Sequence, residues 1–310
     1  MPKFAMHNDP KIRKQKYDEA PRKISGPGHN EGRMAAERER EPLNKANSIA
    51  GGGSWQAMSL GDDGKTERGQ DAEAGISIFD PVLTELMYSW FCPSGGVILD
   101  PFAGGSVRGI VASKIGRKYV GVELRAEQVA ANIEQAKSIC QGEQPQWHVG
   151  DSVFVDKIVG HRGFDFLFSC PPYGDLEVYS DDPADISTMT HQRFLEVYRT
   201  IVGKAVGLLK DDAFACFIVG DFRAPDGCYR NFVGETVAAF ESAGARLYNE
   251  AIFVTVAGSL PIRAGRSFSA SRKLGKTHQN ILVFIKGDWK RAVVALGDVY
   301  IAEELLGQAT

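Results

Sequence analysis

The chain has no apolar run approaching the ~18 residues a membrane-spanning helix needs, and its N-terminus carries no signal-peptide core. No membrane association is expected. Cysteine is sparse: Cys92, Cys140, Cys170, Cys216 and Cys228 are scattered, odd in number, and form no C-x-x-C pair or Cys/His cluster. That argues against a disulfide framework and a zinc site, and points to a reducing cytoplasm and no metal. Basic charge is not in excess. Against 39 Asp and Glu stand 36 Lys and Arg, a net charge of −3, so any surface for a polyanion must be local. What remains is 310 residues, 43% apolar and 24% charged, an ordinary globular composition with room for one large domain and appendages.

Residues 1–75 are also short of hydrophobic periodicity. They are basic at first (Lys3, Lys11, Arg13, Lys14, Lys16, Arg22, Lys23), broken by Pro10, Pro21 and Pro27, and later carry Gly51-Gly52-Gly53 and Asp62-Asp63. Such a stretch cannot bury enough apolar area to offset its ordering entropy. It reads as a mostly disordered arm, either a solvated tail or a basic arm that touches nucleic acid.

Residues 97–124 organise the rest. Val97-Ile98-Leu99 ends in Asp100; a small-residue turn follows (Pro101, Phe102, Ala103, Gly104, Gly105, Ser106), then a helical pattern to Ile115. Tyr119-Val120-Gly121-Val122 then ends in Glu123. Strand, turn, helix, strand, with an acid closing each strand, is half of a doubly wound sheet whose ligand crevice lies at the strand C-termini. Glycines let ligand atoms approach the backbone, and the following helix presents unpaired N–H groups. An acid at the end of the next strand can take both hydroxyls of a ribose. The dinucleotide spacing G-x-G-x-x-G is absent from Gly104-Gly105-Ser106-Val107-Arg108-Gly109, and Asp100-Pro101 is foreign to that motif.

Around this unit a domain is expected over residues 76–290. Asp80-Pro81 reads as an N-cap and first helical residue, with Val82, Leu83, Leu86, Met87, Trp90 and Phe91 at helical spacing as a core stripe. An amphipathic helix over 126–140 leads to a short strand, Trp147-His148-Val149, closed by Gly150-Asp151-Ser152. Each of Asp100, Glu123 and Asp151 alone reads as a helix N-cap; three at one sheet edge read as a cofactor site. Helices over 191–209 and 232–240, and strands over 214–219, 247–256 and 280–285, complete an α/β, Rossmann-like sheet of seven strands. Residues 291–310 read as a C-terminal amphipathic helix.

The fourth strand, Phe164-Asp165-Phe166-Leu167-Phe168, runs into Ser169-Cys170-Pro171-Pro172-Tyr173. Two prolines in succession donate no backbone hydrogen bond and have fixed φ, so the corner offers acceptors without donors beside an aromatic ring. An exocyclic amine of a nucleobase is a poor nucleophile because its lone pair is delocalised. Accepting its N–H protons favours a pyramidal nitrogen, and stacking holds the base once it has left its helix. A proline pair alone is also what a rigid turn contains. Residues 258–278 read as an acid-free basic loop with Arg263, Arg266, Ser267, Arg272, Lys273 and Lys276, suited to phosphates or simply solvated.

The turn DPFAGGS resembles motif I (DPFxGxG) of S-adenosylmethionine (SAM)-dependent amino-methyltransferases, with Ser106 where the second glycine usually falls. SCPPY resembles their motif IV, (D/N/S)PP(Y/F), with Cys170 before the prolines. The order of a motif X segment, motif I, motif IV and a recognition segment resembles the gamma-type DNA amino-methyltransferases, and residues 79–287 look like their small phage- or prophage-borne members. The resemblance implies a doubly wound SAM-methyltransferase sheet and SAM as cofactor. It implies DNA as partner and adenine N6 or cytosine N4 as methyl acceptor, in a bacterial or phage-infected host cytosol and a restriction–modification or phage setting.

Cofactor contacts are implied for Phe79, Asp80, Phe102, Ala103, Gly104, Gly105 and Ser152. Asp100 falls to the methionine ammonium, Glu123 to the ribose, Leu124 to the adenine ring and Asp151 to its amino group. Ser169, Cys170, Pro171, Pro172 and Tyr173 take the catalytic places, although a thiol is a weak acceptor and shifts the burden to Pro171 and Ser169. Attack by Cys170, as in C5-cytosine enzymes, is disfavoured, since their cysteine follows the proline. The alternatives are an RNA or tRNA guanine-N2 methyltransferase, whose motif IV also contains PPY, and a silent protein that binds SAM or nucleic acid. The short recognition segment leaves modest specificity, a partner or a homodimer to complete it.

Overall fold

Strands that are apolar on both faces require helices on both sides. A computed structural model describes residues 78–160, 162–174, 178–255 and 260–298, the side chains of 260–263 excepted. The expected arm over 1–75 lies outside the described residues. In chain order come α1 (Pro81–Phe91), β1 (Val97–Asp100), α2 (Val107–Lys114), β2 (Lys118–Glu123), α3 (Ala126–Ile139), β3 (Gln146–Val149) and the short α4 (Val155–Ile158). They are followed by β4 (Phe164–Ser169), α5 (His191–Leu208), β5 (Leu209–Val219), α6 (Phe232–Ser242), β6 (Ala245–Val254), α7 (Leu260–Ser271), β7 (His278–Lys286) and α8 (Trp289–Leu296).

The strands form one sheet in the order β3-β2-β1-β4-β5-β7-β6. The first five are parallel, and β7 runs antiparallel to both neighbours. The seven-stranded, doubly wound α/β sheet expected from the sequence is the one observed. The chain reverses between β1 and β4, which opens the crevice at their C-terminal ends.

Side-chain alternation feeds two apolar layers. In β5, Ala215, Phe217 and Val219 pack with Phe194, Tyr198 and Ile201 of α5 and Phe240 of α6. Phe214, Cys216 and Ile218 turn to the other layer, with Leu83, Met87 and Tyr88 of α1 and Val129 of α3. The α5 stripe (Phe194, Val197, Tyr198, Ile201, Val202) is fully buried, as the spacing indicates.

Three expectations need correction. The α1 stripe is only half core: Leu83 and Met87 are buried, but Val82, Leu86 and Trp90 face outward, because Thr84 and Tyr88 take the inward positions instead. Residues 258–278 are not simply a loop, since α7 occupies 12 of them. Pro261 falls in its first turn, where a missing N–H costs nothing. The C-terminal helix starts earlier and ends sooner than expected. Asp288 caps it by accepting from Lys290 N at 2.7 Å, and the described helix stops at Leu296 before Gly297, which has φ 73°. The remainder, 299–310, lies outside the described residues.

Candidate functional site

The turn after β1 is held from every side. Its four successive carbonyls all accept hydrogen bonds from buried side chains. Ser152 donates to Pro101 O (2.5 Å), Arg108 to Phe102 O (2.6 Å) and Ala103 O (2.9 Å), and Asn132 to Gly104 O (2.7 Å). On the donor side, Phe102 N reaches Asp100, Ala103 N reaches Val122 O, and Gly104 N reaches Glu123 Oε2 at 2.9 Å. Gly104 has φ 50°, a conformation that favours glycine. Above the turn there is room: a Cβ built on Gly104 or Gly105 meets no atom within 4 Å. Ser106, which departs from the motif, has φ −74°, open to any residue, and its hydroxyl bonds Gln135, so the substitution leaves the backbone unstrained.

Beneath the turn lies a buried polar network centred on Asp100, which has no accessible surface. Its Oδ2 accepts from Arg108 Nε (2.6 Å) and Tyr119 OH (2.8 Å); its Oδ1 accepts from Phe102 N (3.1 Å) and Ser169 OH (2.5 Å). Burial opposes the charge on Arg108, but the Asp100 carboxylate, together with Tyr119, Cys170 and Tyr88, more than offsets it and lifts the guanidinium pKa above its usual value. Burial first, and then Asp100, raise Tyr119 well above the usual phenol. Asp100 was expected beside a ligand ammonium; the structure commits both its oxygens inside the protein, where they tie β1, β2, β4 and α2 together.

The other acids differ in what they leave open. Glu123, mostly buried at the end of β2, accepts from Gly104 N and Arg125 N (3.1 Å). Asp151 caps the turn after β3 by accepting from Val153 N (2.8 Å) through Oδ1. Leu124 is half-buried beside Glu123. Ser152 is buried, its hydroxyl committed to the turn. Phe79 packs edge-on to Phe168 with the Arg108 guanidinium 4.7 Å from its ring centroid, and Asp80 caps α1 by accepting from Leu83 N (2.8 Å). Phe102 stacks on Tyr198 and Ala103 is buried, so these two form the floor of the turn.

The proline corner continues β4. Ser169 is fully buried and its hydroxyl is the link to Asp100. Pro171 is buried, whereas Cys170 and Pro172 are half-buried. Cys170 Sγ lies 3.8 Å from the Tyr173 hydroxyl. Tyr173 is wedged against Phe222 and Phe232, and Gln279 of β7 donates to its hydroxyl at 2.6 Å. Burial, then Cys170, keep the Tyr173 phenol protonated, pushing its pKa well above the usual value despite the opposing Gln279 bond. The ring is a wall of the corner. Gly174, at φ 56°, lets Phe222 close in: a Cβ there would lie 2.9 Å from the Phe222 ring.

The basic segment stands apart from the core. Arg266, Ser267, Arg272 and Lys273 are exposed, Lys276 is half-buried, and the side chain of Arg263 lies outside the described residues. Residues 265–275 are exposed throughout, so most of α7 buries no face against the rest of the chain. Among the described residues no cluster of three or more His, Cys, Asp or Glu is placed to hold a metal, and no helix is long and apolar enough to cross a membrane.

Sequence reasoning missed Arg108, Tyr119, Asn132 and Gln279. One signal was present for Arg108: a cation in the first turn of a helix opposes the helix dipole unless it is paired. The other three carry no pattern that separates them from ordinary surface or core positions.

No protein-family model and no curated protein sequence matches this chain. Solved structures resemble it in outline. TrmN from Thermus thermophilus aligns at 13% identity and TM-score 0.44 over 67% of this chain, which spans about half (49%) of that chain. A TehB-like SAM-dependent methyltransferase from Corynebacterium glutamicum aligns at 17% identity and TM-score 0.42, over 81% of this chain and 99% of its own. Magnesium protoporphyrin IX methyltransferase (ChlM) from Synechocystis PCC 6803, solved with bound SAM, gives 10% identity and TM-score 0.46, over 85% and 100%. Scores and identities this low speak of outline alone.

Proposed function

We propose that this chain is a SAM-dependent methyltransferase that modifies the exocyclic amine of a flipped DNA base, adenine N6 or cytosine N4. The observation that carries the reading is the 2.5 Å hydrogen bond from Ser169 to Asp100, which makes the glycine turn and the proline corner one rigid unit. Two sites that have to meet for group transfer are thereby built on adjacent strands.

The residues present fit the cofactor. The space above Gly104 and Gly105 is what a nucleoside lying against a backbone needs. Glu123 and Asp151, at the ends of β2 and β3, suit ribose hydroxyls and an adenine amino group, with Leu124 against the ring. Asp100 acts from below, fixing the turn through Arg108 and Phe102. When bound, SAM supplies an electrophilic methyl group. The chain supplies orientation: a corner without backbone donors at Pro171 and Pro172 accepts hydrogen bonds from the amine N–H groups, Tyr173 walls the base in, and the proton released after methyl transfer leaves to solvent. No strong base is needed, because the nitrogen becomes acidic only as the methyl arrives. Cys170, half-buried against Tyr173, contributes packing rather than a strong acceptor. The exposed cationic stretch 265–275, which includes most of α7, suits a polyanion.

Incubation with methyl-labelled SAM and either unmethylated DNA or tRNA tests this. Label is expected in DNA as N6-methyladenine or N4-methylcytosine by nucleoside mass spectrometry, and Pro172→Ala is expected to abolish transfer while SAM binding survives. Label confined to tRNA would shift the assignment to RNA. SAM binding without transfer to either would leave a binding protein.

A further inference from the structure

Residues 222–230 form a closed loop after β5. Arg223 and Tyr229 pair across it as an antiparallel bridge, Ala224 N donates to Cys228 O (2.9 Å), and Arg230 N donates to Phe222 O (3.0 Å). The Arg223 guanidinium lies 4.0 Å from the Tyr229 ring centroid and donates to Gly227 O (2.8 Å), which fixes it there. Tyr229 is nevertheless 45% exposed. A ring backed by a cation and open to solvent is a stacking platform.

A cleft of about 500 Å³ separates this loop from residues 272–278. Arg272, Lys276 and His278 line it from that segment, and Asp221 lines it too. Asp221 accepts from Val233 N (3.0 Å) at the start of α6 and keeps its charge, but Arg223, Arg272 and Lys276 outnumber it, so the cleft is net cationic. Both rims are anchored on Tyr173 of the proline corner. One reaches it through Phe222, whose ring packs on the Tyr173 ring at 6.4 Å; the other through Gln279, which donates to its hydroxyl. The cleft and the proline corner thus share Tyr173 as a common support.

From this juxtaposition we infer that the cleft is a second nucleotide subsite: it takes the nucleotide flanking the target base in a single DNA strand, stacking the base on Tyr229 and gripping the phosphate with Arg272 and Lys276. The inference rests on the DNA-methylation reading and adds Arg223 and Tyr229, to which the sequence pattern assigned no role. Arg223 is a positioning residue for the Tyr229 ring.

Fluorescence anisotropy of the full chain with a fluorescein-labelled 12-nucleotide DNA strand, and with the RNA strand of the same sequence, tests it. Tyr229→Ala is expected to weaken DNA binding about tenfold, the cost of losing one base stack, and Tyr229→Phe to restore it. The Arg272→Gln, Lys276→Gln double variant is expected to flatten the slope of log affinity against log salt by ~0.7, one single-strand phosphate's worth. SAM affinity measured by calorimetry stays unchanged in each variant, which separates loss of the subsite from loss of the fold. Unaltered DNA affinity in Tyr229→Ala, while the unmodified chain still methylates DNA, overturns the subsite and leaves the activity standing. Absence of DNA methylation by the unmodified chain removes the activity itself, and tighter binding of the RNA strand overturns the assignment to DNA.

Discussion

Arg108 shows how much of the site rests on one side chain. It is buried, ion-paired to Asp100, and donates to two carbonyls of the turn. Replacing it by methionine leaves a buried carboxylate without its counter-charge, a change that costs about 3–5 kcal/mol. Arg108→Met is therefore expected to lower the urea midpoint sharply and to abolish SAM binding. Lysine is a poor substitute, since a single ammonium cannot reach the carboxylate and both carbonyls in the planar fork arginine provides. An unfolding free energy within about 0.5 kcal/mol of the parent in Arg108→Met would show that the network is ornamental.

At the level of elements, the loop between β1 and α2 separates a structural from a functional demand on glycine. A Cβ on Gly109 of α2 would lie 2.4 Å from the Trp147 ring, so that position is fixed by close packing against β3. A Cβ on Gly105, one turn earlier, would meet open space. Gly105→Val is accordingly expected to leave the melting temperature within about 2 °C of the parent while weakening SAM binding at least ~10-fold, by filling the space a ligand needs. Equal SAM affinities by calorimetry would mean that the cofactor does not lie over this turn.

The same elements show what could be read from sequence. β1, β2 and β4 were legible because burial on both faces makes them continuous apolar runs. α5 was legible because its stripe has helical period; the capping Thr190 is seen only in the structure. The start of β5 was not: Leu209-Lys210-Asp211-Asp212 looks like a solvated turn, and it is strand only because Leu209 pairs with Phe164 of β4 and Ala213 with Lys286 of β7. α7 was read as loop because its composition is basic and hydroxylated, which says nothing of period. The acids of the site were visible as strand ends. Their division of labour was not, since the burial of Asp100 depends on Arg108, Tyr119 and Ser169 arriving from three different elements.

For the molecule as a whole, protons on buried groups set an upper limit in pH. Burial is the main reason the Cys92 thiol is pushed from 9.0 up to about 12, and burial likewise raises Cys216, Tyr88, Tyr119, Tyr173 and Tyr198. In each case the folded state keeps a proton that the unfolded chain releases. Between the unfolded and folded pKa values the native state binds more protons, so stability falls as pH rises. Urea midpoints are expected to decline above pH 9, with Cys92 contributing between 9.0 and about 12. Absorbance at 295 nm should rise for these tyrosines together with the loss of near-UV circular dichroism, and early ionisation in an intact fold would contradict their burial.

The antiparallel pairing of β6 with β7 has a consequence for how such a chain can diversify. Val254 pairs with His278, and Thr255 N bonds Thr277 O at 2.8 Å, so the polypeptide leaves the sheet and re-enters it at a single rung. Everything between is spliced in at one closed junction. A foreign segment with the same two end residues could be grafted there without disturbing a strand, which makes this stretch an exchangeable cassette on a sheet that stays constant.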